Sequence, residues 1–353
     1  MLIYGFGQRP EATSGSTRKY DSTHLDSIHA RVKRRTGELV KLLVTGGAGF
    51  IGSHFVDLLL TDPAIENQVS KVLVIDKLTY AGDINNLELV SENPKFQFIE
   101  GDICDFELNS KISVGFDWII NFAAESHVDR SLIGTDDFVM TNVLGTVNLL
   151  NVALTNKIPH FLQVSTDEVY GTIETGSWTE ESKLDPRSPY SASKAAAELF
   201  CNAFYVSHKL DVRITRSSNN FGPRQNLEKM IPKTIHNLNS NFPLPVYGDG
   251  LNIRDWIFVK DHCMGIWQAI KHGRPGQTYN LGGGTELTNL ELVSKISNIM
   301  KISEPKIEFV EDRKGHDFRY SLNFNKASSE LEYEPRGDFD SNLIKTIAFY
   351  AKN

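Results

Sequence analysis

Tyr190 and Lys194 stand four residues apart in the string YSASK, where a stretch of helical patterning begins. That spacing puts both side chains on one face of a helix. An ammonium beside a phenol stabilises the phenolate and is expected to bring its pKa down from about 10 towards neutral pH. Such a phenolate can take the proton of an alcohol as hydride leaves the same carbon. Taken alone, the pair also reads as a tyrosine lying on a lysine at an exposed helix start. A second cluster, Ser165, Thr166, Asp167 and Glu168 in VSTDEVYG, follows an apolar run that reads as a strand. Adjacent carboxylates in a regular strand point to opposite faces, so these two share a site only if the strand has ended before them. Held together they keep one proton between them, which gives one acid and one base near neutral pH. The competing reading is a solvated turn, or a helix N-cap made by Asp167.

A third motif supplies a partner for this chemistry. TGGAGFIG places Gly46, Gly49 and Gly52 directly after a strand pattern and at the opening of a helix pattern. Glycines there permit a tight turn and a close approach of the backbone to a pyrophosphate, which the N–H groups and dipole of the helix start then attract. Asp76 ends the next strand pattern, where a carboxylate accepts hydrogen bonds from ribose hydroxyls and disfavours a 2′-phosphate, selecting NAD+ over its phosphorylated form. Asp102, in EGDI after the third strand, is placed to meet an adenine edge. Ala123, Ala124 and Glu125 follow the fourth strand, on the side where such sheets bind ligands.

These residues need a scaffold, and the hydropathy pattern outlines one. Short apolar runs at 41–45, 71–76, 96–100, 118–122, 161–165 and 212–216 alternate with helix-like stretches at 50–60, 138–156 and 192–208. The pattern predicts an α/β fold, a doubly wound (Rossmann) parallel sheet, followed by a smaller C-terminal substrate-binding α/β domain. The expected division is a flexible basic extension at 1–40, an NAD-binding domain at 41–220 and a substrate-binding domain at 221–353. A segment near 255–271 is expected to return to the large sheet. Residues 143–154 and 195–206 are apolar around most of the helix circumference, more than one sheet-facing stripe requires. They are expected to pack against their copies as a four-helix contact in a homodimer.

Composition removes several classes. With 37 Lys+Arg against 44 Asp+Glu the net charge is −7, which offers no footprint for nucleic acid or an anionic membrane. Cys104, Cys201 and Cys263 are scattered, which fits neither a disulfide framework nor a zinc site, and no metal is expected. No apolar run is expected to reach the roughly 18 residues of a membrane span. No secretory signal is read at the start, and a cytoplasmic location is expected.

TGGAGFIG, YSASK and STDEVYG together make the chain resemble the extended short-chain dehydrogenases, and within them the dTDP-glucose 4,6-dehydratases. DKLTYAG from Asp76, FAAESHVDRS from Phe122, SSNNFGPRQ from Ser217 and DRKGHD from Asp312 agree, so the likeness runs from about Lys41 to the C-terminus. Lys314, where proline is frequent, and Phe221, where tyrosine is frequent, depart from the pattern without touching a catalytic position. The resemblance implies NAD+ contacts from Gly46, Gly49, Phe50, Ile51, Gly52, Asp76, Lys77, Thr79, Asp102, Ile103, Ala123, Ala124, Ser126, Thr141, Tyr190, Lys194 and Asn220. It implies that Thr166 orients a sugar hydroxyl, Tyr190 takes its proton, Glu168 removes the C5 proton and Asp167 protonates the departing C6 hydroxyl. Sugar-nucleotide contacts are implied for Ser126, His127, Thr166, Asn219, Lys229, Met230, Pro245, Tyr247, Arg254, Asn289, Arg313 and His316. Each of these, the histidines above all, could instead serve an ordinary surface hydrogen bond. The substrate so implied is dTDP-glucose, with UDP-glucose left open because the base is not read from residues. A 4-epimerase and an NAD-binding sensor without turnover are the alternative functions.

Overall fold

Apolar runs rich in β-branched residues form the centre of the molecule, because a strand covered on both faces needs no polar alternation. The computed structural model describes residues 39–351. Its first six strands are β1 Val40–Thr45, β2 Val69–Asp76, β3 Phe96–Glu100, β4 Trp118–Asn121, β5 His160–Thr166 and β6 Asp211–Ser217, close to the expected spans. Six more follow: β7 Asn219–Phe221, β8 Leu244–Tyr247, β9 Ile253–Phe258, β10 Thr278–Leu281, β11 Glu286–Thr288 and β12 Ile307–Val310. Seven strands pair in parallel in the order β10-β6-β5-β4-β1-β2-β3. The order reverses between β1 and β4, which opens a crevice at the carboxyl ends of the strands. The doubly wound parallel sheet is therefore present as expected.

The main helices are α1 Phe50–Thr61, α2 Asp136–Thr155, α3 Pro189–His208, α4 Met230–Asn239, α5 Val259–His272, α6 Asn289–Ile299 and α7 Phe339–Tyr350. On one face of the sheet, Phe55, Val56 and Leu59 of α1 and Ile266 and Ile270 of α5 bury against Leu42, Val44, Val72 and Val74. On the other, Leu149, Leu150 and Val152 of α2 and Cys201 of α3 bury against Leu43, Leu73, Ile119 and Phe161. The start of α3 is set by a reciprocal cap between Ser188 and Ser191, with Pro189 in its first turn, where a missing N–H costs nothing.

The helix expected at 138–156 is present as α2, with one addition and one correction. Its middle, Val139–Gly145, is a π-helix, a wider turn that apolar periodicity cannot announce. By length and composition α2 is also apolar enough to cross a membrane, contrary to the expected lack of such a run. Its inner residues lie in the sheet core, which is how a helix covering a sheet comes to read that way.

A third apolar cluster gathers Phe221, Ile231, Ile235, Trp256, Leu292, Ile296 and Leu343 between α4, α6 and α7. Beside it β9 pairs with β7 and β11, while β8 pairs with β12. The segment near 255–271 divides accordingly. Its strand β9 stays in the small sheet, its helix α5 packs beside α1 under the large one, and β10 then completes the large sheet. The basic extension expected at 1–40 lies, up to residue 38, outside the described residues.

Candidate active site

Where the chain leaves β1, Gly46 adopts φ +68°, and a Cβ there would stand 2.5 Å from the backbone nitrogen of Ala123. A Cβ on Gly52 would strike the Gly46 carbonyl oxygen. The turn is thus closed to side chains on its inner side. Gly49 begins α1 with no side-chain cap, leaving the first N–H groups of the helix to an anion. Gly46→Ala costs about 1–2 kcal/mol in left-handed backbone alone, and the contact with Ala123 adds to it. We expect a lower melting temperature and loss of bound dinucleotide, both read from a purified variant by thermal unfolding and by ultraviolet absorbance.

Asp76 projects from the end of β2 and accepts the N–H groups of Ala48 at 3.0 Å and Leu78 at 2.9 Å. Burial raises this carboxyl, and the backbone N–H groups around it oppose the rise. Lys77 and Asp102 pair at 2.7 Å, so Asp102 is tied to its neighbour strand's loop rather than free to turn. These groups line a cavity of about 700 Å³ along the carboxyl ends of the strands. Every residue expected to contact NAD+ lines it, from Gly46 and Asp76 through Ala123 to Tyr190, Lys194 and Asn220. The open helix start, the side-chain-free turn and the carboxylate lining the cavity together fit a dinucleotide.

The acid pair occupies a turn. β5 ends at Thr166 and the chain makes a single 3-10 turn over Asp167–Tyr170, so both carboxyls reach the same cavity. The N-cap is Thr166, whose hydroxyl accepts the Glu168 N–H, and not Asp167. Asp167 is only 2% exposed, which also removes the solvated-turn reading. Its Oδ1 accepts from the Thr166 hydroxyl at 3.3 Å, and its Oδ2 has no protein partner among the described residues. Burial, then the nearby Glu168 and Asp255 carboxyls, push Asp167 well above the usual carboxylate range. Burial also raises Glu168, but Lys229, Arg254 and Arg313 oppose the rise. The shared proton therefore belongs on Asp167 and the negative charge on Glu168.

Tyr190 and Lys194 share one face of α3, and both are buried. The expected lowering of the Tyr190 phenol is not found. Burial and the Glu168 and Asp167 carboxyls push it up, while a hydrogen bond with Thr166 opposes them. Lys194 directs its Nζ to the Val164 carbonyl at 2.7 Å, and burial pulls its pKa down to about 8. The helical spacing puts the two groups on one face, but Lys194 turns to the Val164 carbonyl, and desolvation, which spacing does not report, sets the phenol.

A second cavity of about 390 Å³ adjoins the first through Ser126, Glu168, Asn219 and Lys229. All the residues expected to hold the sugar nucleotide line it except Thr166, which lines the first. Within it Lys229 donates to the Ser126 carbonyl at 2.9 Å, and Arg254 donates to the carbonyls of Asp317 and Phe318 while lying over the Tyr320 ring. Arg313 pairs with Asp129 at 2.8 Å and stacks on Tyr247. His316 meets Asp312 at 2.6 Å, and His127 meets Glu228 at 3.4 Å.

Three contributors escape a reading of the residues alone. Asn142, in the π-helical stretch, accepts the Glu125 N–H at 2.9 Å and donates to the Glu125 carbonyl and the Ser193 hydroxyl, fixing the loop after β4 against α3. Asp255 is held by the N–H groups of Gly283 and Thr285 and is pushed up to about 6 by burial. Asp129 counters Arg313. Only Asp129 carries a sequence signal, through FAAESHVDRS.

Known proteins match over nearly all the described residues. The family described as GDP-mannose 4,6 dehydratase matches residues 43–346. A dTDP-glucose 4,6-dehydratase of Actinoplanes sp. is 50% identical over 89% of this chain and 98% of its own. The low-salt glycan biosynthesis protein Agl12 of Haloferax volcanii is 49% identical over 88% of this chain and 98% of its own. The solved structure of DesIV, a dTDP-glucose 4,6-dehydratase from Streptomyces venezuelae with NAD bound, superposes with a TM-score of 0.87 at 48% identity, covering 89% of this chain and 98% of that one.

Proposed function

This chain belongs to the GDP-mannose 4,6 dehydratase family, and we propose that within it the protein converts dTDP-glucose to dTDP-4-keto-6-deoxyglucose and water. One observation carries the choice over a 4-epimerase. Two adjacent carboxyls, Asp167 and Glu168, open one turn into the cavity that also receives Tyr190 and Lys194, and burial with acidic neighbours favours the proton on Asp167. Elimination of water needs an acid and a base at neighbouring carbons, and this pair supplies both. The names of the relatives from Actinoplanes sp. and Streptomyces venezuelae support dTDP-glucose as the substrate.

Gly46, Gly49, Asp76 and Lys194 would hold NAD+, which would supply redox-neutral hydride chemistry at C4 and C6 of the hexose. The chain's own residues handle the protons. Thr166 orients the C4 hydroxyl, and Tyr190 takes its proton with Lys194 nearby. With a ketone at C4 the C5 hydrogen is acidic, and Glu168 removes it. Asp167 gives its proton to the C6 hydroxyl, which leaves as water. Arg313 and Arg254 suit the diphosphate because a guanidinium fork can donate twice to one anion.

Purified protein incubated with dTDP-glucose in deuterated water, without added NAD+, should give a product lighter by one water, after allowance for one solvent deuterium at C5. UDP-glucose run in parallel settles the base. An unchanged sugar, even with NAD+ supplied, would sink the assignment.

The protein works as a homodimer in this reading. On α2, Val139, Met140 and Leu144 are exposed, and on α3 Leu199 and Val206 are 61% and 65% exposed, an apolar surface that a second copy can cover. Light scattering at micromolar concentration should give twice the chain mass, and Leu199→Glu with Val206→Glu should return it to one. The free thiols suit a reducing compartment, which supports a cytoplasmic location.

A further inference from the structure

Glu198, on α3, is 0% exposed and receives three guanidinium hydrogen bonds from Arg216 of β6. Arg216 also donates to the Tyr170 hydroxyl and lies over the Tyr170 ring at 4.6 Å. The Tyr170 hydroxyl in turn donates to Asn280 Oδ1 of β10 at 2.9 Å, and Asn280 is held by Glu180 and by the Trp178 and Asn323 carbonyls. Trp178 stacks on Tyr170 and donates to the Gly171 carbonyl, closing the far side of the same turn.

Two placements make this more than a buried ion pair. Tyr170 is the last residue of the 3-10 turn whose first two residues are Asp167 and Glu168. Glu198 follows Tyr190 and Lys194 at four-residue steps on α3, so the three share one helical face. An ion pair removed from water loses solvation about as large as its attraction, and apolar residues of similar size often stabilise as well. Stability alone is therefore a poor reason for a Glu–Arg–Tyr chain here. Its geometry instead ties the helix bearing one proton-transfer pair to the turn bearing the other.

We propose that Glu198, Arg216 and Tyr170 form a positioning unit that sets the acid pair at its working distance from Tyr190 and Lys194. The proposal rests on the roles assigned above to those two pairs. None of the three lines either cavity. It governs the step that the acid turn performs, because both reactions act on one bound hexose and the turn must reach C5 and C6 while Tyr190 holds C4.

Tyr170→Phe removes only the hydroxyl that accepts from Arg216 and donates to Asn280. Glu198→Gln removes the charge at the other end. We expect turnover to fall about tenfold to a hundredfold in each, the cost of displacing a reacting group by about an ångström, with KM for dTDP-glucose little changed. The telling readout is the pair of primary isotope effects on kcat with substrate deuterated at C4 or at C5. Slowed elimination raises the C5 effect and lowers the C4 effect towards unity. A merely structural loss reduces the active fraction and leaves both effects as in the parent, because they are measured on active molecules alone. Unchanged isotope effects in both variants, or unchanged turnover, would overturn the proposal while leaving the dehydratase reading intact. A parent enzyme with no turnover would overturn both.

Discussion

Glu168→Gln should lower turnover of dTDP-glucose about 10²- to 10⁴-fold, the range for losing a positioned general base. The amide has nearly the shape of the carboxylate but takes no proton, so C5 of recovered substrate should acquire no deuterium from heavy water. Asp167→Asn should cost a similar factor by a different route. Glu168 still removes the C5 proton, but the C6 hydroxyl now leaves without its acid. Deuterium then enters C5 of unreacted substrate faster than water is lost. The two variants thus separate the two roles, and a reversal of their exchange behaviour would reverse the assignments. The pH profile follows from the same shifts. Glu168 must have lost its proton, and burial raises it, so the acidic limb falls above the ordinary carboxylate range. Asp167 must have kept its proton, and burial with two acidic neighbours raises it further, so the basic limb lies higher still. Activity is confined between the two. Asp167→Asn should remove the basic limb due to this residue and leave the acidic one.

The sheet was readable because its strands are covered on both faces, and covering leaves apolar runs such as Val72–Ile75 of β2 and Trp118–Ile120 of β4. The glycine turn was readable because backbone demands at Gly46 and Gly52 admit almost no other residue. The acid pair was visible as residues, but its geometry depended on where β5 stopped, and Thr166 settles that by capping the turn. Burial was the quantity most poorly signalled. Glu198 and Arg216 look like ordinary surface charges in sequence and lie within the core, since what buries them is contributed by β6, β10 and the loop around Trp178. The same blindness explains Tyr190, whose neighbour Lys194 is four residues away in sequence while the opposing carboxyls come from a separate strand end. Pairings within one helix can be counted from spacing. Desolvation is a property of everything packed around a group.

Tyr190→Phe should remove C4 oxidation and, with it, every later step, a loss of about 10²- to 10⁴-fold. No ketone then forms, so C5 exchange should vanish together with water loss. The raised phenol makes its proton hard to release unaided. A proton held on Asp167 removes one of the two opposing charges, and the Lys194 ammonium is the group on the same helical face that can stabilise the phenolate. This makes Lys194→Met informative across pH. The burial that brings Lys194 down to about 8 means that its charge is present below that pH and lost above it. The ratio of parent to variant turnover should therefore be large in the acid part of the range and shrink as pH rises past about 8. Taking the ratio cancels the limbs that Asp167 and Glu168 impose on both enzymes. A ratio constant with pH would show that Lys194 acts by holding the dinucleotide ribose in place rather than by charge. Melting temperature and bound dinucleotide, measured on the same preparations, distinguish that outcome from a damaged fold.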